Sequence, residues 1–343
     1  MPDFAPNPEA YPRLRLAFER WRGERQFRLA WPWVLLSAAL LALFIVLALP
    51  YILPLGGPET IDPADLADPD GAFIEVEGAR LYYTHTPGPG AAVVLTHGVG
   101  GSTVSWQSTV PALSTAGYDV YAVDLPGFGL SDKGWDADYS LETQAARVIG
   151  WLDALGVGQA HIVGHSMGGQ VAAYLALAHP DRVASLTLVA GAVLGEHGWS
   201  VPGWALDLPF ARRWARIGLR RVVPEMFEDL LRDATYDDDV ITPALLDAYR
   251  RPLHTPEWDL GLLGIVRDSG QNDLPAPVSA IRAPTLLLWG AHDTWVSPAD
   301  GVQLERLIPG ARRITFEGAG HLPMHEAPDA FNTALLDFLD GAG

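Results

Sequence analysis

The sequence predicts an α/β fold, a mostly parallel eight-stranded sheet with helices on both faces, and three observations carry this prediction. Strand-like and helix-like segments alternate from Phe73 onward, which is typical of a parallel sheet. A β-branched run over 160–163 leads through the motif G-H-S-M-G into a helix-like run. Asp293 and His321 each follow a later strand-like segment, in chain order after Ser166.

Composition sets limits on the function. The chain of 343 residues is long enough for one large α/β domain plus an attached segment. It contains no cysteine, which excludes disulfides, thiolate catalysis and cysteine-ligated metals. The formal net charge is −18, and such an acidic chain would repel phosphates, so a nucleic-acid partner is not expected. The sequence implies no metal or organic cofactor.

Residues 1–30 form an arginine-rich segment, which is followed by an uncharged, apolar stretch. No charged residue occurs from 29 to 58, and a bilayer span needs roughly 20 mainly apolar residues. A buried core helix and a cleaved signal peptide are alternatives, but the leading segment is long and no clear A-x-A site follows. The sequence therefore predicts an uncleaved transmembrane anchor over 31–55.

The charges on the two sides of this stretch differ. Arginines precede the stretch, whereas every charged residue between the stretch and Arg80 is acidic. The positive-inside rule then predicts a single-pass membrane protein with a cytoplasmic N-terminus and an extracytoplasmic catalytic domain. Residues 56–72 are predicted to be an acidic linker that contains proline and glycine.

Eight strand-like segments define the predicted core, which covers 73–190 and 284–343. They lie at 73–76, 80–84, 91–96, 120–124, 160–163, 184–189, 284–289 and 313–316, and the first two flank Gly78 as in a hairpin. Between 191 and 283 the alternation stops. Helix-like pieces there predict a helical cap over the carboxyl ends of the strands, where ligands bind in such sheets. A surface insertion without a function is the alternative.

Ser166 is the candidate nucleophile, because the G-x-S-x-G spacing between a strand and a helix is that of a nucleophile elbow. A serine hydroxyl needs a base, and the base needs an orienting group. His321 lies on a Gly-rich loop after the last strand-like segment, and Asp293 follows the preceding one. Each signal alone has a plain alternative, a Gly/Ser loop or a surface histidine, but the three occur together in the order that this kind of enzyme uses.

Residues 73–340 resemble the α/β-hydrolase fold family in its lid-bearing form. The resemblance rests on T-H-G-V-G-G at 96–101, D-L-P-G-F-G-L-S at 124–131, G-H-S-M-G-G at 164–169, G-A-H-D at 290–293 and G-H at 320–321. These five pieces occur in the family's order and spacing. They are specific for the fold and the triad, and only weakly specific for the substrate.

The resemblance implies that Ser166 is the nucleophile, His321 the general base and acid, and Asp293 the orienting carboxylate. It also implies an oxyanion hole made by the backbone N–H groups of Val99 and Met167. His97, Asp124 and His165 are expected to have structural roles. If Asp293 is not the acid, Asp268 is the next candidate.

The resemblance further implies a serine hydrolase that cleaves carboxylic esters or related acyl compounds through an acyl-enzyme. The predicted anchor lies outside the resemblance, and the two predictions together give a membrane-anchored serine hydrolase. Four tryptophans in the predicted cap favour an apolar acyl substrate, although the core of a cap would contain them too: Trp199, Trp204, Trp214 and Trp258. A carbon–carbon bond hydrolase and a cofactor-free haloperoxidase or perhydrolase have the same motifs. A catalytically idle, anchored binding protein is the alternative outside the enzymes, and the intact triad argues against it.

Overall fold

One sheet of eight strands organises the computed structural model, which describes residues 12–194, 202–269 and 273–342. The strands are β1 (Gly71–Val76), β2 (Ala79–Thr86), β3 (Ala92–Thr96), β4 (Asp119–Val123), β5 (Ala160–His165), β6 (Val183–Val189), β7 (Thr285–Gly290) and β8 (Arg312–Phe316). Their order in the sheet is β1-β2-β4-β3-β5-β6-β7-β8. Strand β2 pairs antiparallel with β1 and β4, and all other neighbours are parallel. The predicted mostly parallel eight-stranded sheet is confirmed.

The described residues also form twelve α-helices. They are α1 (Pro12–Leu47), α2 (Leu49–Ile52), α3 (Thr109–Thr115), α4 (Leu141–Ala154), α5 (Met167–Ala178), α6 (Gly203–Asp207), α7 (Pro209–Asp233), α8 (Pro243–Arg250), α9 (Trp258–Asp268), α10 (Pro298–Leu307), α11 (Pro323–Glu326) and α12 (Pro328–Ala342). Helices α1 and α2 belong to one compact unit, Met1–Pro54, and the other ten belong to a second, Leu55–Gly343.

The hairpin of β1 and β2 follows from its two turn residues. Val76 pairs with Ala79, so Glu77 and Gly78 form a two-residue loop. Their φ angles are 50° and 75°, as a type I′ turn requires. Such a turn matches the right-handed twist of the strands that it connects.

Alternate residues of the central strands enter two hydrophobic cores on opposite faces of the sheet. On β3, Val94 packs into the core that contains α4, α5 and Leu304 of α10, whereas Val93 and Leu95 pack into the core that contains α3 and α12. Because successive side chains of a strand point to opposite faces, a strand covered on both sides reads as a continuous apolar run. The predicted helices on both faces of the sheet are therefore present.

Helices α6 to α9 lie between β6 and β7 in the chain, inside the predicted cap region 191–283. Helices α7 and α9 are joined by a buried ion pair, in which Asp259 accepts from Arg216 at 2.6 Å and from Arg220 at 3.1 Å. The stretches 195–201 and 270–272, and with the first of them Trp199, lie outside the described residues. The boundaries of the cap, the linker and the core stay predictions.

The predicted membrane anchor is wrong. Helix α1 includes much of the arginine-rich segment and ends at Leu47, and the remainder of the predicted span 31–55 is divided between the short α2 and a loop. Within the part of the chain that the structure describes, no helix combines the length and the apolar character that crossing a bilayer requires. The predicted single-pass topology, with its cytoplasmic N-terminus and extracytoplasmic catalytic domain, depended on this anchor and is therefore wrong as well.

Two buried polar side chains hold the loops that follow β3 and β4. His97 donates from Nδ1 to the Gly98 carbonyl at 2.7 Å and accepts at Nε2 from the Leu125 N–H at 3.0 Å. Asp124 accepts from the N–H groups of Thr103 and Leu130, both at 2.6 Å. Burial lowers the pKa of His97 to about 4 and raises that of Asp124 to about 6. Both side chains have the structural contacts that the sequence predicts.

We expect the stabilisation by His97 to disappear in acid. Its folded-state pKa of about 4 lies below the ordinary 6.5, so the unfolded chain binds the proton more tightly and stability falls as the pH drops through this window. In His97→Gln the side chain does not titrate. The difference in unfolding free energy between wild type and variant, measured by urea unfolding, should shrink by roughly 3 kcal/mol from about pH 7 to about pH 4. Asp124 is common to both proteins, so its opposite contribution cancels, and a difference independent of pH would contradict this role.

Candidate active site

Ser166 occupies a strained corner between β5 and α5. Its backbone has φ 51° and ψ −116°, a conformation that residues with a Cβ rarely adopt. The Ser166 N–H donates to the Val189 carbonyl at 2.9 Å, and the Ser166 carbonyl accepts from Gly169 at 2.9 Å and from Ala192 at 3.1 Å. These bonds to β6, α5 and the loop after β6 hold the corner in place.

Glycines surround this corner because backbone segments approach one another closely there. A Cβ on Gly98 would lie 2.8 Å from the Ser166 Cβ, and one on Gly164 would lie 2.3 Å from the Gly168 carbonyl oxygen. A Cβ on Gly168 would lie 2.5 Å from the Thr96 carbonyl oxygen. The H-G motif after β3 and the G-x-S-x-G motif after β5 thus form one tightly packed unit, which explains their residue types.

Val99 and Met167 have free backbone donors beside the serine. Gly101 donates to the Gly98 carbonyl at 3.0 Å and Gly100 has φ 72°, so Val99 lies at the second position of a type II turn. Met167 is the first residue of α5, where the helix dipole favours negative charge. Neither N–H group is bonded to another described residue. Two such donors are what an oxyanion hole requires.

Asp293 holds the imidazole of His321. The distance from His321 Nδ1 to Asp293 Oδ2 is 2.9 Å, and both side chains are almost fully buried. The second oxygen of Asp293, Oδ1, accepts from the N–H groups of Trp295 and Val296, both at 2.9 Å. A carboxylate fixed in this way binds the Nδ1–H tautomer and leaves Nε2 of His321 as the proton acceptor.

His321 reaches the serine corner through His165, the residue before Ser166. His165 donates from Nε2 to the His321 carbonyl at 2.9 Å, and the two rings are 4.7 Å apart. Burial, together with the nearby His321, holds the pKa of His165 well below its usual range, so this imidazole is neutral. Ser166 Oγ makes no hydrogen bond to a described residue. In ligand-free enzymes the bond between nucleophile and base is often long and tightens when the substrate binds.

Asp268, the second candidate for the acid, is engaged elsewhere. It accepts from the Tyr139 N–H at 2.9 Å, and both of its oxygens accept from Arg267 at 2.7 Å. The imidazole of His321 is bonded to Asp293 instead. Among the described residues there is no group of three or more His, Asp or Glu side chains that could hold a metal ion.

A cavity of about 70 Å³ lies between the Val99 turn and helices of the cap region. Its lining is mainly apolar and consists of Gly100, Gly101, Phe128, Gly129, Lys133, Val223, Phe227, Tyr249, Pro252, Leu253, Trp258 and Leu262. Of these lining residues only Lys133 carries a charge, and its ammonium donates to the Ser131 carbonyl at 2.7 Å. Burial lowers the pKa of Lys133 to about 8. The cavity thus offers space for an apolar group near the turn that contains Val99.

The cap tryptophans have different environments. Trp258 is buried and lines the cavity, Trp204 is 68% exposed, and Trp214 is half-buried. Of these three tryptophans, only Trp258 lies where a residue of the predicted apolar substrate pocket should lie.

Two contacts around His321 have no signal in the sequence. Trp295 packs its ring 5.3 Å from the imidazole, and Glu326 accepts from the N–H groups on both sides of the histidine, those of Gly320 and Leu322. Neither residue lies in a motif that the sequence analysis used. Their role depends on tertiary contacts with the end of α7, which a single sequence does not reveal.

Known proteins resemble this chain over most of its length. The profile of the alpha/beta hydrolase fold matches residues 91–328. A 2-hydroxy-6-oxononadienedioate/2-hydroxy-6-oxononatrienedioate hydrolase of Burkholderia vietnamiensis is 31% identical over 264 residues, which is 76% of this chain and 91% of that protein.

Two crystal structures are also similar to the whole core. A membrane phospholipase A, described as a bacterial virulence factor, is 28% identical with a TM-score of 0.65, covering 93% of this chain and 99% of that one. The enol-lactonase of Burkholderia xenovorans LB400 is 26% identical with a TM-score of 0.65, covering 78% and 100%. The profile match and the fold described above show that this chain belongs to the α/β-hydrolase fold family.

Proposed function

We propose that the protein is a serine hydrolase that cleaves carboxylic esters with an apolar acyl group through an acyl-enzyme. The observation that carries the proposal is the strained corner at Ser166. The turn that contains Val99 packs against this corner, and His165, the residue before Ser166, is bonded to the backbone of His321, whose imidazole Asp293 holds. Strain of this kind costs of order 1–3 kcal/mol and persists at functional sites.

The proposed mechanism assigns one task to each group. His321 Nε2 takes the proton of the Ser166 hydroxyl while Oγ attacks the ester carbonyl carbon. The negative charge that appears on the carbonyl oxygen is stabilised by the N–H groups of Val99 and Met167. His321 then gives the proton to the leaving alcohol oxygen, and the acyl group stays on Ser166. Water, activated by the same imidazole, releases the acid and regenerates the serine.

The cavity supports an uncharged, apolar acyl group. Its one charged lining residue, Lys133, is bonded to a main-chain carbonyl, and the rest of the lining is mainly hydrocarbon. Burying a charged group against such a surface is costly unless it is paired. Two structural neighbours are named as enzymes of this chemical type, a phospholipase A and an enol-lactonase, since a lactone is a cyclic ester.

A carbon–carbon bond hydrolase is the second candidate, and the sequence relative from Burkholderia vietnamiensis favours it. That protein is named for 2-hydroxy-6-oxo dienedioates, which carry two carboxylates. The same nucleophile, base and oxyanion donors serve this reaction. The cavity lining supports the ester over a dicarboxylate of this kind, because a dicarboxylate needs more cationic partners than Lys133 supplies.

A substrate panel tests the choice between these two candidates. We expect kcat/KM for p-nitrophenyl esters to rise at least about tenfold from acetate to butyrate, because each added methylene that enters the cavity contributes roughly 1 kcal/mol. In Leu262→Gln, which makes the cavity lining polar, this preference should flatten, while the exposed Leu307→Gln serves as the matched control. Turnover of a 2-hydroxy-6-oxo dienoate without hydrolysis of any ester would establish the second candidate instead.

Ser166→Ala tests whether the protein is catalytic at all. We expect the variant to fold normally and to lose ester turnover and covalent labelling by a fluorophosphonate probe, because the attacking oxygen is gone. Labelling is read by intact-protein mass spectrometry. If the wild type fails to label while a known esterase does, the protein is an idle binding member of the family.

Asp293→Asn tests the orienting carboxylate. We expect kcat to fall by about 10⁴-fold with little change in KM, because the amide no longer favours the Nδ1–H tautomer of His321. Steady-state kinetics with the best ester from the panel measures the effect. As a control, Asp268→Asn removes the other candidate acid, and a larger loss of kcat in that variant would reverse the assignment.

A further inference from the structure

The carboxylate of Glu326 accepts from four backbone N–H groups. Oε1 accepts from Gly320 at 2.9 Å and from Leu322 at 3.2 Å, the two residues on either side of His321. Oε2 accepts from Tyr236 at 2.6 Å and from Asp237 at 3.4 Å, which follow the end of α7. One side chain therefore joins the histidine loop to the end of the longest helix in the cap region.

The two backbone segments also contact each other directly. His321 donates its own N–H to the Ala234 carbonyl at 2.8 Å. A Cβ on Gly320 would lie 2.9 Å from that carbonyl oxygen and 2.9 Å from the Tyr236 nitrogen. The peptide groups before and after the imidazole are thus fixed from one side by Glu326 and from the other by the chain after α7.

Only a carboxylate suits this set of partners. It offers two oxygens with about four lone-pair sites and no donor, and hydrogen bonds to an ionised acceptor are stronger than neutral ones. A glutamine of the same shape would have one oxygen only, and its NH₂ group would face two N–H donors. The chemistry of residue 326 is therefore matched to donors on two separate segments.

We propose that Glu326 is a positioning residue for His321, which it keeps in line with Asp293 and Ser166 by bracing the histidine loop against the end of α7. The proposal rests on the function proposed above. Glu326 touches neither the substrate nor the reacting atoms, and it acts through the backbone of residues 320–322. Because small displacements of a catalytic group are expensive, of order 100-fold per 1 Å, loosening this brace slows the chemical step more than it weakens binding.

The test is Glu326→Gln, with Glu305→Gln as the matched control. Glu305 makes an ion pair with Arg313 at 3.0 Å, so its variant also loses one carboxylate contact but leaves the histidine loop untouched. We expect kcat, and the rate of fluorophosphonate labelling, to fall about 10- to 100-fold in Glu326→Gln with KM changed less than about threefold. The control should keep both rates.

A spectroscopic readout keeps the test independent of catalysis. We expect the Nδ1 proton of His321, in its bond to Asp293, to give a low-field proton NMR signal in the wild type. This signal should shift or broaden in Glu326→Gln and stay unchanged in Glu305→Gln. Should Glu326→Gln fail to fold, Glu326→Asp keeps both oxygens but is too short to span the two segments, and the same loss of kcat is expected.

Three results separate the hypotheses. Unchanged kcat and an unchanged signal in a folded Glu326 variant would overturn the positioning role. If Glu326→Gln and Glu305→Gln lose kcat and thermal stability to the same extent, the effect of Glu326→Gln is merely structural. This result would also overturn the positioning role. If the wild type neither labels nor turns over esters, the proposed function fails, and the NMR signal alone decides whether Glu326 orients the imidazole.

Discussion

The strained backbone of Ser166 is the constraint on which the rest of the site depends. A positive φ at a residue with a Cβ is unfavourable, and it is held by three backbone hydrogen bonds from different elements. It also requires β3 and β5 to be parallel neighbours, with Thr96 opposite Gly164, so that the loop after β3 meets the start of α5. In a parallel sheet the carboxyl ends of the strands share one edge, and for this reason residues distant in sequence meet there. The glycines at 98, 164 and 168 leave the space that this meeting needs.

The buried polar residues around this edge divide into those that hold loops and those that can react. His97 and Asp124 make their hydrogen bonds to main-chain groups, and burial moves their pKa values in opposite directions, to about 4 and about 6. They fix the loops after β3 and β4 and have no open position for a substrate. The free donors of Val99 and Met167 are the opposite case, because Val99 is exposed, Met167 is half-buried, and neither N–H group is bonded to another described residue. The fold thus satisfies the polar groups around the corner and leaves donors free beside the serine.

The sequence predicted the sheet and the pairing of Asp293 with His321 because their signals are local. The alternation of segments, the glycine spacing around Ser166 and the position of Gly78 between two strand-like segments each describe a short stretch of backbone. The anchor was wrong for a related reason, since hydropathy counts an uncharged stretch without knowing where its helix ends, here at Leu47. Glu326 could not be found in this way. Its importance comes from Tyr236 and Asp237, about 90 residues earlier in the chain, and no spacing rule connects them.

The cap region is hydrogen-bonded both to the loop that carries His321 and to the loop that carries Asp293. Trp295, which follows Asp293, packs against His321 and donates from its indole to Asp233 at the end of α7 at 3.0 Å. The same helix is tied to α9 by the buried carboxylate of Asp259, and both helices contribute residues to the cavity lining. A group that fills the cavity therefore contacts helices that are connected to the base and to its orienting acid. Binding energy from the non-reacting part of a substrate can then act on the alignment of the reacting groups, which raises kcat as well as affinity. If the protein has the proposed function, the contacts of α7 and α9 that line the cavity also hold the base and its orienting acid, so one set of contacts governs both substrate choice and rate.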